Sequence, residues 1–257
     1  LFLIVIRVRE DERSMASTVK VSIVIPTHNR ADDVIENVDA LLPQISGLPF
    51  EIIVVDSASS SDTMRQLEGI CKYPQTVLYR SDLPGASLAR NIGVSKSAGA
   101  WLSFLDDDAV VHPHWATNLL RRIEQCDETM GLIAGRVVPR WPKQGYEIPP
   151  NGLGTRARIL LSVLDSDQSF EMTTNPNAIS ANMFVRRSTF DRIGGFPVEM
   201  GRVGQVLASG EDAYLTETIV RSGFRAWYDG SIGVDHKISS HRMTHAWLAQ
   251  RALHEGG

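Results

Sequence analysis

Cysteine is nearly missing from these 257 residues: only Cys71 and Cys126 occur, with no metal-ligand spacing around them. That excludes a disulfide framework and a thiolate zinc site, and the pair reads as ordinary thiols in a reducing compartment. A basic excess is missing too. The net charge is −4, so the chain lacks the electrostatic footprint of a nucleic-acid binder. No apolar run approaches the ~20 residues that a membrane-spanning helix needs. The N-terminal stretch 1–8 is apolar apart from Arg7 and runs into charged residues 9–13. It has neither the basic start nor the small-residue cleavage site of a signal peptide. Met15-Ala16-Ser17-Thr18 reads as a natural start, so residues 1–18 are expected to be an extension with little bearing on the fold. Neither a G-x-G-x-x-G fingerprint after the first strand nor a Walker A lysine motif is present. A dinucleotide site of the usual kind and a P-loop are therefore excluded, and any phosphate must be held by other means.

Hydrophobic residues make up 43% of the chain, enough for a sizeable core. The chain is organised around Trp101-Leu102-Ser103-Phe104-Leu105-Asp106-Asp107-Asp108. Its apolar run has the length and aromatic content of a buried strand, and the acids follow at its C-terminal end. In open α/β sheets ligands bind along that edge. Adjacent carboxylates repel, so they need a solvated turn or a cation. Asp oxygens suit Mg²⁺ or Mn²⁺, ions that also hold substrate phosphates. An isolated acidic triplet is more often a helix-capping turn, and the other strand ends are what distinguish this one.

Val21-Ser22-Ile23-Val24-Ile25 is a strand stopped by Pro26, and Thr27-His28-Asn29-Arg30 forms a polar turn after it. Apolar positions at helical spacing over 32–42 give a helix. Residues 51–55 are a second buried strand ending in Asp56, followed by a helix to about residue 70. A third strand at 76–79, a helix over 85–97 and the acid-bearing strand complete a βαβαβαβ order. That order implies a single α/β domain with a mixed, mostly parallel sheet flanked by helices. Polar residues at three strand ends, 27–30, Asp56 and 106–108, then describe one pocket.

In this order and spacing, Val21 to Arg30, Ile52-Ile53-Val54-Val55-Asp56-Ser57, Ala89-Arg90-Asn91-Ile92-Gly93 and Leu105-Asp106-Asp107-Asp108 resemble a family 2 glycosyltransferase of the GT-A type, over roughly residues 21–251. The resemblance implies a Rossmann-like GT-A domain over 19–257, with a nucleotide-binding half at 19–110 and an acceptor-binding half at 111–257. It implies that Pro26, Thr27, His28, Asn29, Arg30, Asp56, Arg90 and Asp107 bind the nucleotide of a sugar donor, a UDP-sugar foremost. His28 stands where many relatives carry Tyr, and its imidazole still offers a face on which a base can stack. Asp108, with Asp106 and His236, would hold Mn²⁺ or Mg²⁺. Imidazole is a competent ligand for the first ion and a poor one for the second. The second acid of Glu211-Asp212 would be the catalytic base, with Glu211 supporting it. Absent the resemblance, acids at a helix start simply favour the dipole.

Elsewhere, residues 178–185 read as a strand containing Asn182, expected on the donor or acceptor side together with Trp141 and Arg242. Residues 225–229 and 232–234 read as two short late strands. Ile193-Gly194-Gly195-Phe196 resembles the family's GGF turn, and the glycine-punctuated stretch 201–210 reads as a lid. His112 and His114 read as solvated helix-entry residues, and the tail as an amphipathic helix that packs on the domain, contacts the diphosphate through Arg242 or touches a membrane surface.

The implied activity is an inverting, metal-dependent glycosyltransferase of hexosyltransferase type, serving bacterial-type glycan or glycoside synthesis. The setting would be cytoplasmic or peripheral at the inner membrane face, the acceptor a hydroxyl of open identity, and nucleic acid no partner. A nucleotidyltransferase would need a glycine-rich basic loop after the first strand. An Asp-x-Asp phosphatase would carry its acids there too. A non-catalytic nucleotide-sugar binder would have no use for Glu211-Asp212.

Overall fold

The computed structural model describes residues 3–5, 19–173, 177–200 and 210–255. Residues 201–209, most of the expected lid, lie outside the described residues. The described strands form a ten-stranded sheet.

From the N-terminus the elements are β1 (Leu3–Val5), β2 (Val21–Thr27), α1 (Ala31–Ile45), β3 (Phe50–Ser57), α2 (Ser61–Leu67), β4 (Thr76–Ser81), α3 (Ala86–Ser95) and β5 (Trp101–Phe104). β6 (Ala109–Val111), α4 (Trp115–Glu124), β7 (Met130–Arg140), α5 (Thr155–Leu160), β8 (Ser169–Glu171), β9 (Met183–Arg186) and α6 (Arg187–Ile193) follow. The chain closes with α7 (Glu211–Arg221), β10 (Arg225–Lys237) and α8 (His245–Glu255). The strand order is β1-β4-β3-β2-β5-β9-β7-β10-β6, with β8 on β10. The run β4-β3-β2-β5 and the long β7–β10 pair are parallel. β9 enters antiparallel between β5 and β7 and joins the two blocks. This is a mixed, mostly parallel sheet flanked by helices, as the βαβ order implies. β1 adds an antiparallel strand beyond β4.

β2 and β3 are buried along their whole length, because helices cover both faces of a parallel sheet. α1 turns Val34, Val38, Leu41 and Ile45 onto one face. α3 must approach β2 closely. A Cβ on Gly93 would overlap the Val24 side chain, so glycine is required at that crossing.

The structure corrects several boundaries. Pro26 does not stop β2, which continues to Thr27. Pairing to β5 ends at Val24 opposite Phe104, so Pro26 has a ladder on the β3 side only, where a missing N–H is tolerated. The two expected late strands are one, β10, with a register shift between Asp229 and Gly233. Asn182 does not lie in a strand. It ends a single 3₁₀ turn, Ser180–Asn182, just before β9. The GGF turn is present: Gly194 and Gly195 take φ of 87° and 84°, and buried Phe196 meets Phe104 edge-on at 4.9 Å. The cysteines are both free. Among the described residues no helix is long and apolar enough to cross a membrane.

Candidate active site

The C-terminal ends of β2, β3 and β5 open into a cleft of about 410 Å³. Pro26, Thr27, His28, Arg30, Arg90, Asp106, Asp107, Asp108, Glu211, Asp212, His236 and Arg242 all line it. Residues from six places in the chain thus converge, as the strand-end pattern implies.

The acids occupy the turn between β5 and β6. Asp107 and Asp108 are buried, whereas the Asp106 side chain is 27% exposed. Thr27 Oγ1 donates to Asp107 Oδ2 at 2.8 Å. Arg30 Nη1 reaches Asp107 Oδ1 at 3.1 Å and Asp108 Oδ2 at 2.5 Å. His236, on the last turn of β10, brings Nε2 to 3.3 Å from Asp108 Oδ1. Strand pairing sets that approach, since His236 lies opposite Ala109 across the β6–β10 ladder. Burial, then the Asp108 charge, push the Asp107 carboxyl well above the usual carboxylate range, against Arg30 and Thr27. Burial opposes ionisation of Asp108 as well, but His236, Arg30 and Arg242 outweigh it and hold Asp108 below that range.

Asp106, Asp108 and His236 each offer a ligand atom, all within 4.8 Å of one another. Two donors each ~2.1 Å from one octahedral ion, at right angles, stand about 3 Å apart. The 3.3 Å between Asp108 Oδ1 and His236 Nε2 fits that spacing. The oxygen, oxygen, nitrogen set suits Mn²⁺ better than Mg²⁺.

Arg90, buried on α3, does not extend into the cleft as a free cation. Nη2 binds Asp106 at 2.8 Å and Nη1 binds Glu211 at 3.4 Å, with the guanidinium 5.4 Å over the Phe196 ring. Asn91 beside it donates to Phe196 O and accepts from Phe196 N, which fixes the GGF turn under that ring. Arg90 therefore ties the acidic turn to the acids of α7. Asp212, on the first turn of α7, accepts at Oδ2 from Ser180 N (2.9 Å) and Ser180 Oγ (3.1 Å). Among the described residues its buried Oδ1 has no hydrogen-bond partner. Burial, then Glu211, raise the Asp212 carboxyl to about 7, against Arg90 and Ser180. A carboxyl poised near neutrality can act as a general base.

Four expected residues stand away from the cleft lining. Asp56 is fully buried, bound by Arg80 at 3.2 Å and by Ser59 N at 3.3 Å. Asn29, at φ 56°, braces the loop before α2, where its Oδ1 accepts from Ser60 N. Asn182 is a core residue. Its amide donates to Arg136 O and Ile232 O, and its oxygen accepts from Trp115 Nε1. All these bonds go to the chain itself, which corrects the expectation of a ligand contact. Trp141 packs in a satellite cluster with Leu161, Met243 and Trp247 and carries Arg158 over its ring. His28 does line the cleft, with Nδ1 2.6 Å from Ser57 O. His112 pairs with Asp235 at 2.9 Å, beside the cleft and not in it. Ser57, Ser180 and Arg251 are lining residues that the sequence pattern did not single out. Ser57 directly follows Asp56 and had a signal in its position, whereas Ser180 had none.

The model for glycosyl transferase family 2 matches residues 22–194. A glucosyl-dolichyl phosphate glucuronosyltransferase from Haloferax volcanii is 25% identical over 241 residues, covering 92% of this chain and 75% of that protein. The glycosyltransferase AglE from the same organism is 29% identical over 216 residues, 82% of this chain and 64% of its own length. Among solved structures, the mannosyltransferase PcManGT from Pyrobaculum calidifontis, in complex with GDP-Man and Mn²⁺, superposes with a TM-score of 0.65 at 21% identity. That match covers 92% of this chain and 61% of the other, and it shows the shared GT-A fold.

Proposed function

The chain belongs to glycosyl transferase family 2, and from that premise we propose that it moves a sugar, with inversion, from a nucleoside diphosphate sugar to an acceptor hydroxyl. The observation that carries the proposal is one cleft holding both the Asp106, Asp108 and His236 cluster and the neutral-poised Asp212. The Haloferax relative is named as a sugar transferase, and the Pyrobaculum neighbour was solved with a nucleotide sugar and Mn²⁺. Both are consistent with a hexosyl donor of that class here.

Asp106, Asp108 and His236 would hold the divalent ion, Mn²⁺ in preference to Mg²⁺. Such an ion supplies positive charge for the diphosphate as its bond to the sugar weakens. Pro26, Thr27, His28 and Ser57 form the wall proposed for the base and ribose, with UDP as the nucleotide. Arg242, buried beside Asp108, adds fixed positive charge on the phosphate side. Asp212 takes the proton of the attacking hydroxyl, and Arg90 keeps Glu211 and Asp106 in place around it. Residues 19–110 would be the nucleotide half and 111–257 the acceptor half. A role in bacterial-type glycan or glycoside synthesis completes the reading, in the cytoplasm with peripheral contact at the inner membrane face.

Calorimetric titration with UDP, GDP, dTDP and CDP, each with and without Mn²⁺, tests the donor site. Tight binding of one nucleotide only with the ion is expected. Binding that ignores the ion would remove Asp108 and His236 as ligands, and no binding by any of the four would refute the donor site.

A further inference from the structure

The two oxygens of Asp212 are not equivalent. Oδ2 accepts two hydrogen bonds from one residue, the backbone N–H and the hydroxyl of Ser180 at 2.9 and 3.1 Å. Oδ1 is buried and accepts none from the described residues. A carboxylate oxygen has about two lone-pair sites, so Oδ2 is filled and Oδ1 keeps its full capacity. Buried polar atoms almost always have partners, and one without a partner beside a ligand cleft calls for a reason.

We propose that Ser180 is a positioning residue for the transfer: by occupying Oδ2 it fixes the Asp212 carboxylate and reserves Oδ1 for the proton of the attacking hydroxyl. The proposal rests on the reading of Asp212 as the base. Ser180 is well suited to the task because it is itself held. It is 2% exposed and begins the 3₁₀ turn that Asn182 ends. Asn182 in turn is anchored to Trp115 Nε1, to Arg136 O on β7 and to Ile232 O at the irregular point of β10. A contact chain of core hydrogen bonds thus leads from the middle of the sheet to one oxygen of one carboxylate.

In the step itself the acceptor O–H bond breaks and its proton goes to Oδ1. The acceptor oxygen bonds the anomeric carbon, and the electron pair of the breaking carbon–oxygen bond leaves with the nucleoside diphosphate. Asp212 later releases the proton to solvent. The charged groups facing Asp212 are Glu211 from its own helix, Arg90 from α3 and Asp106 from the acidic turn. Against burial and the two acids, Ser180 and Arg90 favour the charged form that the step requires. A hydrogen bond to the ionised form favours it, so losing the Ser180 hydroxyl makes Asp212 harder to ionise.

The test is an infrared titration of the full chain, following the carboxyl C=O stretch that disappears in Asp212→Asn. In Ser180→Ala the midpoint of that band should move up by about one pH unit, the size of one hydrogen bond to a charged group. Ser180→Thr, which keeps a hydroxyl, should restore it. The acid limb of kcat for UDP release from UDP-glucose should move with it, at unchanged donor KM. A midpoint in Ser180→Ala equal to that of the parent chain overturns the proposal. So does a midpoint in Ser180→Thr that matches Ser180→Ala. Failure of the underlying reading is separable: Asp212→Asn would then keep turnover whatever the Ser180 variants do.

Discussion

Replacing Asp212 by Asn should move activity and stability in opposite directions. Asparagine has nearly the same shape, and its amide oxygen can still accept both Ser180 donors. What it lacks is an oxygen that can take a proton. General-base assistance is worth about 10²–10⁴ in rate, which is about 3–5 kcal/mol of barrier. Turnover should fall by that factor while nucleotide binding is kept. Stability follows from the raised carboxyl, which goes from 3.8 to about 7 in the folded chain. Below about pH 3 the group is protonated in both states and the charge costs nothing. As pH rises towards 7 the unfolded chain releases the proton that the folded chain retains, so the folded state loses stability across that window. At pH 8 the parent protein carries that cost in full, on the order of a few kcal/mol, and the asparagine variant carries none. Urea unfolding should therefore show equal stability at about pH 3 and a more stable variant at pH 8. The parent rate should rise through about pH 7 as Asp212 ionises. Turnover above a tenth of the parent value would refute the base assignment. A variant less stable than the parent at pH 8 would refute the account of a buried, reluctant charge.

Three further substitutions separate the other parts of the site. Arg90→Met strips the partner from Asp106 and Glu211 and should cost about 3–5 kcal/mol in urea unfolding at pH 7; an unchanged midpoint would mean the bridge does not hold the acids. Asp108→Ala should abolish the Mn²⁺-dependent part of nucleotide binding in calorimetry, and unchanged affinity would remove Asp108 from the ligand set. Asn182→Leu leaves Trp115 N–H and two backbone carbonyls without their partner. Each orphan costs about 1–3 kcal/mol, so a thermal melt should show a loss of several kcal/mol, and a loss under 1 kcal/mol would contradict the anchoring role.

What could be read from the chain alone was whatever is written locally. β2, β3 and β5 are short apolar runs buried on both faces, and each ends in polar residues on the same edge of the sheet. Adjacent parallel strands turned by right-handed crossovers leave little freedom in where those ends fall. That is why Thr27, Arg30, Asp106 and Asp108 meet as their positions implied. What could not be read depends on pairing between distant segments. Pro26 could stay in β2 because β5 is short, a fact recorded around residue 104 and not around 26. The span 225–237 looked like two strands because Gly230 and Gly233 interrupt its apolar pattern, yet β7 pairs with it on both sides of the shift. Asn182 looked available to a ligand because the resemblance implies that its region closes the donor site. Its bonds to Trp115, Arg136 and Ile232 come from three other elements. Arg90 lines the expected cleft, but its pairing with Glu211 could not be read locally, since that acid arrives from more than a hundred residues downstream.

The charges of the cleft are partly paired within the chain, and that pairing bears on how an ion would be held. Five lining carboxylates, Asp106, Asp107, Asp108, Glu211 and Asp212, face four lining arginines, Arg30, Arg90, Arg242 and Arg251. Arg30 and Arg90 each span two acids, so part of the charge of the acidic turn is compensated within the chain itself. The compensation is incomplete where it matters. Arg30 takes Oδ2 of Asp108 and leaves Oδ1 turned to His236. Arg90 takes Oδ1 of Asp106, whose side chain stays partly exposed. Asp106 and Asp108 thus each have one oxygen held by an arginine, while the Asp108 Oδ1 faces His236 Nε2. Arg242 acts on Asp108 from the α8 side of the cleft, and Arg251 comes from α8 itself. Positive charge on that side is what a diphosphate would meet across the acids. In the proposed transfer, oxygens held on one side by arginines would stay oriented before an ion arrives, and little reorganisation would remain when the leaving group's charge develops.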